Sequence, residues 1–431
     1  MMLHFWRRVQ FTQFCLIHRR SLRVQRRWQE KYLHRLVGHA CLNVPIWRSL
    51  ARDKNIDPDS IRSIADIARL PTTSKHTFLG RMVEDYIDNS RMAQSYWYET
   101  SGTSGTPFTF LMGDHARTPM YSEFASLRFL WWLGVPFSKI FSTRLARIKI
   151  RAPSTEDRLF IPVEEFQRDA RQALAQISQF KADIISTYPS ILLDMARLIE
   201  REPSLLQPAP RFVLSFGEVL FPSLRKFVND TMGSEIYDRY GLEEIGAIGV
   251  ECRVHDGFHI NTESVIIEIT DDAYSPVAPG TEGRLVATDL FNYNMPFIRY
   301  DTGDHGRVSY EPCHCGLRSP RLWVKGRYTA SLAFPSRRIH HLEFDGAMDS
   351  FMHLIFQYQI AKRSNTEIVA RIIPGPAFHE DVIEKVREKL TELVGEGITV
   401  QVETVQKLPR TPRGKSRIVL DETDFPQGTK T

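Results

Sequence analysis

The sequence predicts an α/β chain: a large N-terminal domain of parallel strands and helices with a β-rich subdomain, then a small α+β C-terminal domain. Three observations predict it. From Glu99 onward, short apolar runs rich in β-branched residues alternate with helix-period stretches, as in a mainly parallel buried sheet. Past Gly257 the texture changes to extended strands separated by turn residues at Pro276, Pro279 and Gly280. Beyond Gly326 the order becomes strand, strand, helix, strand.

Taken in order, Trp28, Tyr32, Leu36 and Ala40 recur every fourth residue and mark a helical stripe, which Pro71 and the turn residues Thr72, Thr73 and Ser74 close off. A helix is expected over 117–133, with Met120, Phe124, Leu127 and Trp131 on one face and Gly134 as its stop. Another is expected over 163–180. Short strands follow at 183–186, 212–215 and 235–238, separated by helices over 191–200 and 223–232. The β-rich stretch has strands at 264–270 and 283–288. The last domain has apolar runs at 354–360 and 367–373, a helix over 379–394 and a strand at 398–405. The expected division is a helical region over 1–80 packed on the main domain, a core over 81–326 and the small domain over 327–431.

Composition narrows the functional classes. With 431 residues, 42% hydrophobic and 25% charged, the chain is neither disordered nor low-complexity. No run of about 18 apolar residues is free of charge, so no transmembrane helix is expected. Five cysteines are too few, and odd in number, for a disulfide framework, which points to a reducing cytoplasm. The net charge of +5 is uneven: the first fifty residues hold ten basic side chains and one acidic one. That segment reads as a solvated helix face or a homodimer contact, ahead of attraction to an anionic membrane, carrier protein or nucleic acid. A nucleic-acid role has little support, because the cysteine spacing is unlike a zinc finger and no basic strand is interleaved with aromatics.

Four motifs carry chemistry. Thr100-Ser101-Gly102-Thr103-Ser104-Gly105-Thr106-Pro107 is a loop whose bending backbone and hydroxyls can converge donors on a phosphate chain, although no Lys follows as in a Walker loop. Tyr237-Asp238-Arg239-Tyr240-Gly241-Leu242-Glu243-Glu244 follows an expected strand, where an open α/β sheet puts its ligand crevice. There a ring can stack on a base and a carboxylate can hold phosphate-bound Mg²⁺. In Arg299-Tyr300-Asp301-Thr302-Gly303-Asp304, an Asp beside a tight Gly turn can accept the hydroxyls of a ribose. Lys407-Leu408-Pro409-Arg410-Thr411-Pro412-Arg413-Gly414-Lys415 is a stiff loop that can project an ammonium toward charge building on a carboxylate and an α-phosphate. Singly, each also reads as an ordinary turn or surface loop.

Together, in this order, the four motifs resemble the adenylate-forming superfamily of acyl-CoA synthetases and adenylation domains, over about Glu99 to Arg417. Glu251-Cys252, Phe258-His259-Ile260, Met295-Pro296-Phe297-Ile298-Arg299-Tyr300 and Cys313-His314-Cys315-Gly316 narrow this to the phenylacetate–CoA ligase family and its shorter capsule-biosynthesis relatives. Val44-Pro45-Ile46-Trp47-Arg48 and Leu70-Pro71 fit the same family. Cys252, His259, Cys313 and Cys315 form a Cys₃His set from two separated segments, suited to structural tetrahedral Zn²⁺, with His255 and His314 as competing ligands.

The resemblance implies ATP-dependent activation of a carboxylic acid to an acyl-adenylate with release of pyrophosphate, then acyl transfer to a thiol or amine. It implies that Thr100 to Gly105 hold the β- and γ-phosphates, and that Gly217-Glu218 lie along the adenosine. Tyr240, beside Gly241, would pack on adenine, Glu244 would bind Mg²⁺, Asp304 and Arg327 would reach the ribose, and Lys415 would be the adenylation lysine. Tyr188 and Phe216 would line the acyl pocket, a mild preference for an apolar or aromatic acid.

Three departures stand out. Glu243 replaces a Thr, Asp301 replaces a common Arg, and the segment after Arg327, Tyr328-Thr329-Ala330-Ser331-Leu332-Ala333-Phe334-Pro335, lacks the hinge carboxylate and the glycine loop. The last weakens the case for a CoA tunnel, so a carrier-protein thiol, an amine or a hydroxyl stands beside CoA as acceptor. The alternative is a catalytically degenerate nucleotide-binding relative acting as a binding partner.

Overall fold

The computed structural model describes residues 11–94, 96–99, 109–112, 128–149, 158–327, 331–335, 337–410 and 415–424. The chain forms two compact units, each made of two separate stretches. One joins Met1–Ile140 to Arg239–Lys325, the other Phe141–Asp238 to Gly326–Thr431. Among the described residues no helix is long and apolar enough to cross a membrane.

The first unit opens with helix Leu22–Asn43, which buries Gln25, Gln29, Leu33, Leu36, Val37 and Ala40 along a 3.6-residue stripe. Extended Val44 ends it, and Pro45 at the first position of Pro45–Asp53 starts the next helix, where a missing N–H costs nothing. Trp47 is buried there and donates to Pro296 O at 3.1 Å. These helices share a core with Phe78, Phe110, Leu285, Phe297 and Ile298. The sheet of this unit runs in the order Val265–Thr270, Gly283–Asp289, Tyr300–Ser309, Arg321–Arg327, Phe258–Ile260, Gly246–Val250 and the end of Glu235–Leu242. Strands Tyr96–Glu99 and Thr109–Met112 form a separate antiparallel hairpin in which Glu99 and Thr109 are register partners. Of the helix expected over 117–133, only the end from Arg128 lies among the described residues, and it is helical; Gly134 follows with φ +81°.

The second unit contains the parallel strands. Arg158–Pro162, Leu145–Lys149, Ile184–Thr187 and Phe212–Phe216 lie side by side in parallel register, and Phe212–Phe216 is bonded to Glu235–Leu242. Helices Pro189–Arg201 and Pro222–Met232 cover them. A smaller α/β part follows, with sheet order Thr399–Thr404, Glu367–Pro374, Ile355–Ser364, Val419–Asp421 and helix Asp381–Val394. Its Phe356 packs against Phe227 at 4.8 Å between rings, and both stretches of this unit share one core that includes Leu224, Val228, Ile355 and Leu390.

Two expectations are corrected. The helix expected over 163–180 is two helices, Val163–Arg168 and Ala170–Phe180. Asp169 lies between them and accepts from Gln172 N at 2.9 Å as the cap of the second. The strand expected at 235–238 continues to Leu242, so Tyr240 and Gly241 sit within a strand and not after one.

Candidate active site

In the second unit, strand Phe212–Phe216 runs out at Gly217, whose φ of +78° only glycine adopts without strain. The next residue, Glu218, meets the start of helix Pro189–Arg201. Its carboxylate accepts from Ser190 N at 2.9 Å, Ser190 Oγ at 3.0 Å and Ser416 N at 2.7 Å. Tyr188, the N-cap residue of that helix, makes no side-chain cap, so Glu218 supplies the acceptor that the exposed helix N–H groups need. Burial raises the Glu218 carboxyl pKa, and its three donors and Arg410 pull the other way. With the side chain engaged in this way, the peptide backbone of Gly217 and Glu218 is what remains to face a ligand.

Lys415 ends beside this turn. A Cβ placed on Gly217 would lie 3.2 Å from Lys415 Nζ and 3.3 Å from the Tyr188 ring. The ammonium stands 5.4 Å from the Tyr188 ring centroid, and Tyr188 packs on Phe216 at 5.0 Å. Both aromatics are buried, so the cation rests on an apolar floor. Arg327 lies in the same unit: its carbonyl pairs with His341 Nδ1 at 2.8 Å, and its charge helps lower the pKa of half-buried Arg417, for which burial is the larger cause.

A second cluster belongs to the first unit. Tyr240 OH donates to Asp304 at 2.6 Å, and Tyr300 OH donates to Glu244 at 3.2 Å. Both carboxylates are buried. The strand bulges between Tyr240 and Gly241, and a β-carbon at Gly241 would collide with the Gly246 carbonyl, so the close approach of the two strands there requires glycine. The glycine turn expected here is an irregularity within strand Tyr300–Ser309, where pairing with Gly283–Asp289 shifts register: Gly303 has φ +76° and donates to Asp301 at 2.9 Å, and Asp304 N donates to Thr302 Oγ1 at 3.1 Å. Asp301 also accepts from Tyr274 OH at 2.7 Å, so the residue that departs from the motif secures this bulge. Glu243 is half-buried, and it adds to the burial that raises the Tyr98 pKa. Thr100, Ser101, Gly102, Thr103, Ser104 and Gly105 lie outside the described residues.

Cys252, His259, Cys313 and Cys315 come together with their ligand atoms all within 4.8 Å of one another. Cys252 and Cys313 sulfurs are 3.8 Å apart, and Cys315 Sγ is 3.3 Å from His259 Nε2. A tetrahedral zinc with bonds of about 2.3 Å to sulfur sets sulfurs about 3.8 Å apart, so the donor set fits that ion. His259 Nδ1 faces Ser319 O at 3.2 Å and Ser319 Oγ at 3.0 Å, which orients the ring and leaves Nε2 for the cluster. His255 instead pairs with Glu251 at 3.0 Å, and His314 is not in the cluster.

Sequence reading singled out no role for Asp194, Arg410, Ser416 or Tyr300, whose partners are distant in the chain. Asp194, for instance, meets Arg410 across 216 positions.

No protein-family model matches the chain. It is 26% identical over 428 residues to phenylacetate-coenzyme A ligase of Thermus thermophilus, spanning 91% of this chain and 95% of that protein. It is 25% identical over 417 residues to the Escherichia coli enzyme of the same name, spanning 91% and 94%. Its fold superposes on the crystal structure of 2-hydroxyisobutyryl-CoA ligase with R3-HIB-AMP in the postadenylation state, with a TM-score of 0.75 over 95% of this chain and 92% of that one, at 18% identity. The chain is similar in sequence to the phenylacetate–CoA ligases and shares its fold with the adenylate-forming ligases. An adenylate-forming ligase has an α/β core and a smaller α/β part near its C-terminus, and both are present here.

Proposed function

We propose that the chain activates a carboxylic acid with ATP and passes the acyl group to the thiol of CoA. A carboxylate oxygen attacks the α-phosphorus, the bond to the β-phosphate oxygen breaks and pyrophosphate leaves. The thiol sulfur then attacks the acyl carbon, its proton is lost and AMP departs. The observation that carries this reading is the Lys415 ammonium against the Gly217 backbone, on the Tyr188–Phe216 aromatic pair. An ammonium on an apolar floor neutralises charge more strongly than one in water, which is the help that in-line transfer at phosphorus needs. CoA as acceptor is supported by the named activities of the relatives.

In this reading Thr100 to Gly105 cradle the terminal phosphates, Tyr240 stacks on adenine, and Asp304 and Arg327 take the ribose hydroxyls. Glu244 is the residue that would hold Mg²⁺, which would withdraw charge from the triphosphate. Tyr188 and Phe216 favour an apolar or aromatic acid. Residues 327–431 work as the domain that carries Lys415, with 1–80 packed on a core of 81–326. The Cys₃His cluster holds a structural zinc, and five free thiols suit a reducing, cytoplasmic setting. The basic N-terminal helix is read as a solvated face or a homodimer contact.

ATP–pyrophosphate exchange with a panel of aromatic and aliphatic acids tests this. We expect exchange with at least one acid, and a loss of about 100-fold or more in Lys415→Ala. Exchange with none would overturn it. Glu243, a carboxylate where relatives carry a hydroxyl, favours a second reading, a nucleotide binder without catalysis; ATP binding in the absence of exchange would select it.

A further inference from the structure

The segment that carries Lys415 is fastened to one face of helix Pro189–Arg201. Arg410 and Ser416 pair as an antiparallel bridge, so the chain closes a neck on either side of the residues leading to Lys415. Both sides of the neck are tied to the helix. Arg410 Nη2 donates to Ser190 O at 2.8 Å and to Asp194 Oδ2 at 2.9 Å, and both side chains of this ion pair are mostly buried. Ser416 N donates to Glu218, which also takes both donors of Ser190. One turn further along, Arg197 Nη1 donates to Gln406 O at 2.7 Å. Positions 190, 194 and 197 share a helix face, a rail about 10 Å long at 1.5 Å per residue. Leu408, between these anchors, is buried in the core.

A lysine is poorly suited to fixed placement. Its four-carbon stem has several rotamers, and ordering it costs up to about 2 kcal/mol. What fixes the ammonium is where its Cα is held. Arg410 is the strongest tie, because its Nη2 donates to a carbonyl and to a charged carboxylate at once in a mostly buried site. Arg410 and Asp194 are engaged with each other and with the Ser190 carbonyl.

We propose that Asp194 and Arg410 are positioning residues for adenylation, clamping the neck of the Lys415 segment to the helix so that the ammonium meets the reacting phosphate. The inference rests on the adenylate-forming reading above and deepens it. A misplacement of about 1 Å costs on the order of 100-fold in rate, so a loosened neck is felt in the chemical step and little in ATP affinity.

The test is a double-mutant cycle in the full-length protein, read by ATP–pyrophosphate exchange with the best acid. Arg410→Ala and Asp194→Asn should each lower the exchange kcat about 10- to 100-fold and leave the KM for ATP within about twofold. Arg410→Lys should recover part of the loss. Each change should add little on top of Lys415→Ala, because a residue acting through the lysine has nothing left to position. Losses that multiply with Lys415→Ala, or exchange unchanged in both single variants, overturn the clamp. If Arg410→Ala fails to fold by thermal melting, Asp194→Asn, which keeps the shape of the side chain, decides alone. If the parent protein exchanges with no acid, the functional reading falls and the clamp falls with it, an outcome distinct from active parent and indifferent variants.

Discussion

Gly217 is a single position under two constraints. Its φ of +78° excludes a β-carbon on conformational grounds, and the space a β-carbon would fill is bounded by Lys415 and Tyr188. Gly217→Ala therefore strains the turn by about 1–2 kcal/mol and pushes the ammonium away from the backbone it faces. The expected result is a small fall in melting temperature together with a loss of exchange activity of at least about tenfold. Melting and exchange measured on the same preparation check this, and a variant as active as the parent would refute the placement of Lys415. Lys415 is legible in the sequence because two prolines and a glycine announce a stiff projecting loop. Its neighbours are not, because Glu218 reads as a ligand-facing carboxylate until its three donors are seen.

Elements differ in how plainly the sequence shows them. Helices Pro189–Arg201 and Pro222–Met232 are readable from their apolar period and a proline at the first turn. The break at Asp169 is a capping event within a continuous helical period, which periodicity cannot see. Strand Glu235–Leu242 outruns its expected end because Asp238, Arg239 and Gly241 look like a turn. Pairing of Arg239 to Leu242 with Gly246–Val250 keeps the chain extended there. Val419–Asp421 is three residues long and exists because it lies parallel to Ile355–Ser364. The cysteine cluster is the opposite case: strand pairing of Arg321 with His259 brings together ligands that spacing already marked. If zinc occupies it, the purified protein contains about one zinc per chain, and Cys313→Ser lowers both zinc content and melting temperature by an easily measured amount. Metal-free protein with an unaltered melting point on chelation would sink this.

At the scale of the whole molecule, acid sensitivity follows from a buried trio in the first unit. His18 Nε2 donates to Glu263 at 2.8 Å, and Arg128, fully buried, pairs with Glu263 and Asn261. Burial, reinforced by the Arg128 charge, lowers the His18 pKa to about 4. Burial opposes ionisation of Glu263, but Arg128 and His18 outweigh it and hold its pKa to about 2. Both groups have folded values below their unfolded ones, so the unfolded chain binds the extra protons. The contribution of these two groups is fully present above about pH 6.5, falls through the His18 window down to about pH 4, and falls further through the Glu263 window toward pH 2. In denaturant titrations between pH 5 and 6, His18→Gln should flatten the slope of unfolding free energy by up to about 1.4 kcal/mol per pH unit. An unchanged slope would contradict the placement of His18.

Each compact unit is assembled from two stretches interrupted by a long excursion of chain. During synthesis, therefore, the early half of each must wait, exposed, for a segment emerging much later. The first cannot be completed before Lys325 has left the ribosome, and the second needs the stretch that begins at Gly326. Such long waits between early and late partners slow folding and leave apolar surface open to chaperones and to self-association. A nascent chain halted after Lys325 would carry every cysteine of the Cys₃His cluster and none of the lysine segment.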